Sequence, residues 1–336
     1  MTRTVLWSLW FPLHLVSTVI FVYYFMGEKN RSFNGLSVEA GSCPMSHKFW
    51  IVDSFTRERF AGNPAGVVLQ NGGLSHEDML RIAGELSLET AFAEIVDGVM
   101  RVAYYTGLSR IPLCGHDTIA LGNVLSQTGV WPAGQSFEIT TDVGVLTLQR
   151  SENGSVWMNQ ASPVFGAVVT RETIADLLSI DAGIVAEHPA PRVVSTGTPM
   201  LFACLVNTGA IDSLQPDMKR LADGLKALPE YADGLYVWTA AGESITNIYS
   251  RCFAPGVGLP EDPVTGSASG ALGSYLTQAV ASTGNGQSEY VYEITQGVAM
   301  GRGGNAEVRV TWDGEKVAQV RVGGHAVIVA EGVLVW

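Results

Sequence analysis

A helix built almost entirely of small residues is written twice into this 336-residue chain. The segment Glu261-Asp262-Pro263-Val264-Thr265-Gly266-Ser267-Ala268-Ser269-Gly270-Ala271-Leu272-Gly273 reads as a loop that turns directly into a helix. Pro263 and Gly266 suit a turn rather than a helix interior, and Thr265 or Ser267 can cap the helix. With Ala268, Gly270, Ala271 and Gly273 in it, this helix has little propensity of its own, so tight surroundings must hold it. Its first amides are free to bind a carboxylate or phosphate. The run from Gly115 to Leu125 aligns without a gap with the run from Gly266 to Leu276, with Gly, Ala, Leu, Gly and the final Leu coincident. Two further echoes occur downstream in the same order: Phe137-Glu138-Ile139-Thr140 with Tyr292-Glu293-Ile294-Thr295, and Asn153-Gly154 with Asp313-Gly314. The repeat predicts two similar halves, each with strands around one small-residue helix, and two helix starts facing each other across a cleft.

The length suits about two domains. A net charge of −12 with only 15% charged residues excludes a nucleic-acid surface. It also means that an anionic substrate needs local donors, because the overall field repels it. Cys43, Cys114, Cys204 and Cys252 are widely spaced and show neither CxxC nor metal-ligand spacing, which reads as reduced thiols in a cytosolic protein. The N-terminus is distinct. From Thr4 to Gly27 there is no Asp, Glu, Lys or Arg, a run that meets the roughly 20 residues needed to span a bilayer. Three readings stand for it: a membrane anchor through residues 4–27, a cleaved signal, or translation that truly begins at Met45. The last makes the protein cytoplasmic, and the first anchors it to a membrane.

Taken in order, Phe49–Phe55 is a buried-strand pattern, Gly62–Gly66 a turn, and Val67–Leu69 a strand. Ser75-His76-Glu77-Asp78 has the form of a capping box before a helix carrying Met79, Ile82, Ala83 and Leu86. In the strand Leu88–Ile95, Glu89 stands among apolar neighbours. A partly buried carboxyl titrates higher and so suits acid/base work. Ser162–Gly166 reads as the linker between halves. A helix near Thr173–Ile180 and strands at Val193-Val194, Leu201–Val206, Gly234–Trp238, Asn247–Phe253, Ala306–Trp312, Val317–Val322 and Ala326–Ala330 complete the pattern. Helices and strands do not alternate regularly, so the class is α+β. The expected division is a leader over 1–46, a first half over 47–165 and a second half over 166–336.

Several short motifs then occur in one order: Asp53-Ser54-Phe55-Thr56, Gly62-Asn63-Pro64-Ala65, Glu89-Thr90-Ala91-Phe92, Cys114-Gly115-His116, Ala254-Pro255-Gly256, Glu261–Ala268, Gln296-Gly297, Met300-Gly301-Arg302 and Gly323-Gly324. On these, the chain resembles the PhzF-like family of phenazine-biosynthesis isomerases, which share the diaminopimelate-epimerase fold, over about residues 47–336. The resemblance implies two pseudo-symmetric half-barrels, each wrapped round a central helix, an active site between them, a homodimer and no cofactor or metal. It implies Glu89 as the acid/base that moves a proton on a small carboxylate, with His116 and Asp262 orienting the ligand. Ser267 and the amides of Gly115 and Gly266 then lie nearby.

Asp117 departs from the family, which usually has a small residue or proline there. It can cap the helix, contact a cationic substrate group, or pair with His116 and hold it protonated. The segment Glu85–Leu88 is one residue shorter than the family pattern, and the apolar leader is not a family feature. A two-cysteine racemase is disfavoured, because Ser267 stands opposite Cys114 and Cys252 lies far upstream. A hydrolase triad is disfavoured because no Gly-x-Ser-x-Gly elbow surrounds Ser267. Two functions remain: a cofactor-independent isomerase or epimerase, and a catalytically silent member kept as a binding or scaffold protein.

Overall fold

The computed structural model describes residues 46–335, except 71, 133, 243 and 282–286. The apolar segment at 4–27, with its three readings, lies outside the described residues; among the described residues no helix is long and apolar enough to cross a membrane.

Among the described residues the first nine strands are β1 Ser46–Ser54, β2 Asn63–Leu69, β3 Thr90–Val96, β4 Val99–Tyr105, β5 Arg110–Ile111, β6 Phe137–Thr141, β7 Gly144–Arg150, β8 Val156–Asn159 and β9 Val164–Val168. The second nine are β10 Arg192–Ser195, β11 Pro199–Cys204, β12 Gly234–Ala240, β13 Asn247–Ala254, β14 Leu259–Asp262, β15 Glu289–Gln296, β16 Gly304–Trp312, β17 Val317–Gly324 and β18 Ala326–Val335. The helices are α1 His76–Leu86, α2 Gly115–Gln127, α3 Arg171–Leu178, α4 Thr208–Asp212, α5 Met218–Lys226 and α6 Gly266–Ala281.

The internal repeat is visible strand by strand. β1–β2, β3–β4, β4–β5, β6–β7 and β7–β8 pair antiparallel, while β2–β3 and β4–β6 pair parallel. Adding nine to each label reproduces the second half with the same directions throughout. Both sequence echoes fall on equivalent places: the Glu-Ile-Thr runs on β6 and β15, and the Asn-Gly and Asp-Gly turns between β7 and β8 and between β16 and β17. The halves also exchange strands. β18 pairs with β1, β9 pairs with β10, and β8 pairs with β17. The fold is α+β, two pseudo-symmetric half-barrels of the diaminopimelate-epimerase kind.

One apolar core runs through both halves and takes Ile119, Leu121, Val124 and Leu125 from α2 together with Ala268, Ala271, Leu272 and Leu276 from α6. α6 is buried nearly all round, as a helix without a polar face has to be. Its glycines are where strands press closest: a Cβ on Gly273 would sit 2.7 Å from Val308. β11 and β12 are buried on both faces. Phe202, Tyr236 and Trp238 face the shared core, while Leu201, Ala203, Leu235 and Val237 face a second cluster under α3, α4 and α5. That two-sided burial explains why these strands read as unbroken apolar runs.

The capping box is present, with Ser75 accepting from the Asp78 amide and Asp78 accepting from the Ser75 amide. Three expectations are corrected. The turn at 62–66 ends at Gly62, which has φ +62°, and Asn63 already begins β2; Pro64 is tolerated as the second residue of the strand. The linker at 162–166 is half strand, because β9 begins at Val164 and closes against β10. Glu89 precedes its strand rather than lying in it, since β3 begins at Thr90.

Candidate active site

Three chain segments converge where the central helices begin. β3 starts immediately after Glu89, α2 starts after Cys114, and β14 delivers Asp262 to the loop that opens α6. The two helix starts abut: a Cβ on Gly115 would lie 3.9 Å from the Ser267 amide nitrogen. Gly266 is required by packing, because a side chain there would meet the Phe55 ring at 2.9 Å. Phe55 itself holds φ at +63°, a conformation that costs a non-glycine residue about 1–3 kcal/mol and clusters at functional sites.

No side chain caps α2. Before α6, Thr265 is turned away from capping, donating its hydroxyl to Asp262 Oδ2. Both starts therefore keep first-turn amides for a ligand. Thr118 and Ser269, equivalent in the repeat, each donate back to the carbonyl four residues earlier, on Cys114 and Thr265. Thr265 is thus the structural counterpart of Cys114, which corrects the pairing with Ser267. The equivalent position at the second start holds no cysteine, but β13 brings the buried Cys252 beside Asp262 and Thr265.

Glu89, Cys114, His116 and Asp117 form one cluster. Cys114 Sγ donates to Glu89 Oε2 at 3.0 Å and lies 3.3 Å from His116 Nδ1. His116 Nε2 is 3.8 Å from Glu89 Oε2 and 3.3 Å from Asp117 Oδ1. The Glu89 side chain is 26% exposed, His116 12% and Asp117 0%; Glu89 is the acid that a ligand can reach. Asp117 is the third residue of α2 and caps nothing. It touches His116 as an ion contact, and neither of its oxygens accepts a hydrogen bond.

Asp262 is tied down from several sides. Asn63 Nδ2 donates to its Oδ1 at 2.8 Å and to the Val264 carbonyl at 2.9 Å, and Gln296 Nε2 donates to its backbone carbonyl at 2.7 Å. Ser54 Oγ holds the His116 carbonyl, and Thr196 Oγ1 holds the Ser267 carbonyl. Gln160 bridges the Gly266 carbonyl and Thr196.

Burial pushes the Asp117 carboxyl up to about 8, with His116 opposing and Glu89 adding to the rise. Burial works against charge on His116, but the Asp117, Glu89 and Asp262 carboxylates outweigh it and raise the imidazole. Burial, then Asp117 and Glu89, lifts Cys114 well above an ordinary thiol, so it is the protonated donor to Glu89. Burial likewise raises Asp262, against His116, Thr265 and Asn63.

The structure brings together all seven residues expected from sequence: Glu89, Gly115, His116, Asp117, Asp262, Gly266 and Ser267. A cleft of about 480 Å³ lined by Phe55, Arg57, Glu58, Asn305 and His325 includes none of them; the titrating cluster, not volume, marks the site. Sequence reading missed Cys114 as a partner of Glu89, and Asn63, Gln160, Thr196 and Gln296 as supports. Gln296 carried a signal. It occupies the buried phase of the alternation Tyr290, Tyr292, Ile294 along β15, where an amide needs partners. Gln160 and Thr196 carried none.

The sequence profile of the family described as phenazine biosynthesis-like protein matches residues 52–332. An uncharacterized isomerase of Deinococcus radiodurans is 35% identical, with the alignment covering 87% of this chain and 96% of that protein. The trans-2,3-dihydro-3-hydroxyanthranilate isomerase of Pseudomonas aeruginosa is 30% identical over 85% of this chain and 98% of its own. The crystal structure of a Bacillus anthracis phenazine biosynthesis protein of the PhzF family superposes with a TM-score of 0.78 at 28% identity, covering 87% of this chain and 99% of that one. An Agrobacterium vitis hydroxyproline epimerase, at 8% identity and a TM-score of 0.53, shares the fold.

Proposed function

The chain belongs to the phenazine biosynthesis-like family, and from that premise we propose that it is an isomerase that moves a proton on a small carboxylic acid, with Glu89 as general acid and base. The observation that carries the reading is the meeting of two uncapped helix starts beside one partly exposed carboxylate. The substrate carboxylate sits on the amides of Gly115, Gly266 and Ser267, where the helix dipoles also stabilise charge that develops during reaction. Glu89 takes a proton from a C–H bond, the electron pair shifts along an adjacent double bond, and Glu89 returns the proton to another carbon. Atoms balance and nothing is oxidised or reduced, so side chains suffice and no cofactor is invoked. His116, held by Asp117 and Ser54, and Asp262, held by Asn63 and Thr265, orient the ligand on either side. The relative from Pseudomonas aeruginosa gives the first substrate to try. The reading keeps 47–165 and 166–336 as the two halves and a homodimer as the assembly, which light scattering tests.

The chemistry is tested with the full chain, wild type and Glu89→Gln, in deuterated buffer. The ligands are trans-2,3-dihydro-3-hydroxyanthranilate and a panel of small unsaturated or amino carboxylic acids, followed by NMR. Deuterium enters carbon with wild type, and Glu89→Gln slows this by about 10²–10⁴-fold. Exchange unchanged by the substitution removes Glu89 from its role. Exchange on no ligand favours a binding or scaffold protein.

A further inference from the structure

The two halves use the residue before each central helix in the same way. Cys114 stands directly before α2 and Thr265 directly before α6. Each turns its side chain to a carboxylate of the site: Thr265 Oγ1 donates to Asp262 Oδ2, and Cys114 Sγ donates to Glu89 Oε2 at 3.0 Å. Only the donor differs. A hydroxyl meets the carboxylate that orients the ligand, and a thiol meets the one that moves the proton.

The thiol has no better partner. Its sulfur lies 3.3 Å from Nδ1 and 3.8 Å from Nε2 of His116, so it rests against the side of the imidazole ring and off either lone pair. Asp117 is beside the same sulfur, but burial pushes its carboxyl up to about 8, and a protonated carboxyl is a poorer acceptor than a carboxylate. Cys114 is buried and its thiol is lifted well above the ordinary range, so Glu89 meets an S–H. On Glu89, Oε2 takes both the thiol and the His116 contact at 3.8 Å, and Oε1 takes neither. With the side chain 26% exposed, Oε1 is the oxygen left for a ligand. A thiol is a weak donor. A hydroxyl or a cation in its place would favour the charged carboxylate more strongly and oppose its protonation.

We propose that Cys114 is the positioning residue of the acid/base: its thiol holds Glu89 Oε2 and presents Oε1 to the ligand, with a grip weak enough for the carboxyl to gain and lose a proton. The proton enters and leaves at Oε1, and Cys114 keeps its own. The bond to Glu89 is independent of the isomerase reading; its use in turnover rests on that reading.

The test uses the full chain carrying carbon-labelled glutamate, as wild type, Cys114→Ala, Cys114→Ser and Glu89→Gln. The carboxyl signal absent from Glu89→Gln is that of Glu89, and NMR follows its titration without substrate. Cys114, His116, Asp117 and Asp262 are the titrating groups that face Glu89, and the Cys114 variants change only the thiol. The Glu89 midpoint is expected to rise in Cys114→Ala, which loses the donor, and to fall in Cys114→Ser, whose hydroxyl is the stronger donor. In infrared spectra the S–H stretch missing from Cys114→Ala moves to higher frequency in Glu89→Gln, whose neutral amide accepts less strongly. In the exchange assay Cys114→Ala lowers kcat ~10–100-fold with little change in KM, Cys114→Ser recovers most of the loss, and Cys204→Ser changes nothing. The proposal is overturned by a Glu89 midpoint that Cys114→Ala leaves in place, by one that moves the same way in both Cys114 variants, or by an S–H band indifferent to Glu89→Gln. Exchange on no ligand, with both substrate-free signals as expected, overturns the isomerase reading and leaves the bond standing. Exchange that Glu89→Gln abolishes and Cys114→Ala leaves intact overturns the positioning role alone.

Discussion

A carboxyl that is buried without hydrogen bonds destabilises the fold whenever it is charged, and Asp117 is such a group. In the unfolded chain it ionises at an ordinary acid pH; in the folded chain it does so at about 8. Between those values the unfolded state sheds a proton that the folded state keeps, so stability falls as pH rises. His116 acts in the same sense. Its folded pKa is raised, so its contribution is present below the unfolded value and lost as pH climbs through the folded one. We expect the wild-type melting temperature to fall between about pH 5 and about pH 8, and Asp117→Asn to flatten that fall, so that its advantage over wild type grows with pH. Calorimetry at a series of pH values checks this; two parallel curves would rule out Asp117 as the source. At this scale the sequence was most informative where a residue sits in a distinctive local setting. His116 and Asp262 are readable because one lies in the first turn of a small-residue helix and the other just before the loop that opens its repeat. The fate of Asp117 was not, because whether a carboxylate caps a helix or packs beneath it depends on strands far away in the chain.

Among the elements, α6 shows why a weak helix former is retained. Replacing Gly270 with Ala gains roughly 1 kcal/mol of propensity. It also places a Cβ 1.9 Å from Gln160 Oε1, and Gln160 holds both the Gly266 carbonyl and Thr196. Overpacking of about 1–3 kcal/mol, with a displaced amide at the helix start, outweighs the gain. Gly270→Ala is expected to lower the melting temperature and reduce kcat/KM together; a variant more stable than wild type would contradict this packing. α2 and α6 were legible from composition because nothing but enclosure can hold such sequences as helices. α5 was not read, although Leu221 and Leu225 bury one face of it, because its polar residues outnumber that short stripe. β9 was missed for a related reason. It is a half-exposed strand whose identity comes from its partner, and strand exchange leaves no local mark.

On the scale of the molecule, the shared core and exchanged strands bind the halves into one cooperative unit. We expect residues 46–335 to unfold in a single transition by circular dichroism and tryptophan fluorescence alike; separated midpoints would show that the halves unfold independently. The exchange of β9 and β18 has another consequence. An equivalent pair of separate chains swapping these strands would come apart on dilution, and its site, made from both, would vanish with it. Here the covalent connection between the halves fixes the effective concentration of each for the other, so the meeting of the two helix starts stays assembled however scarce the protein becomes.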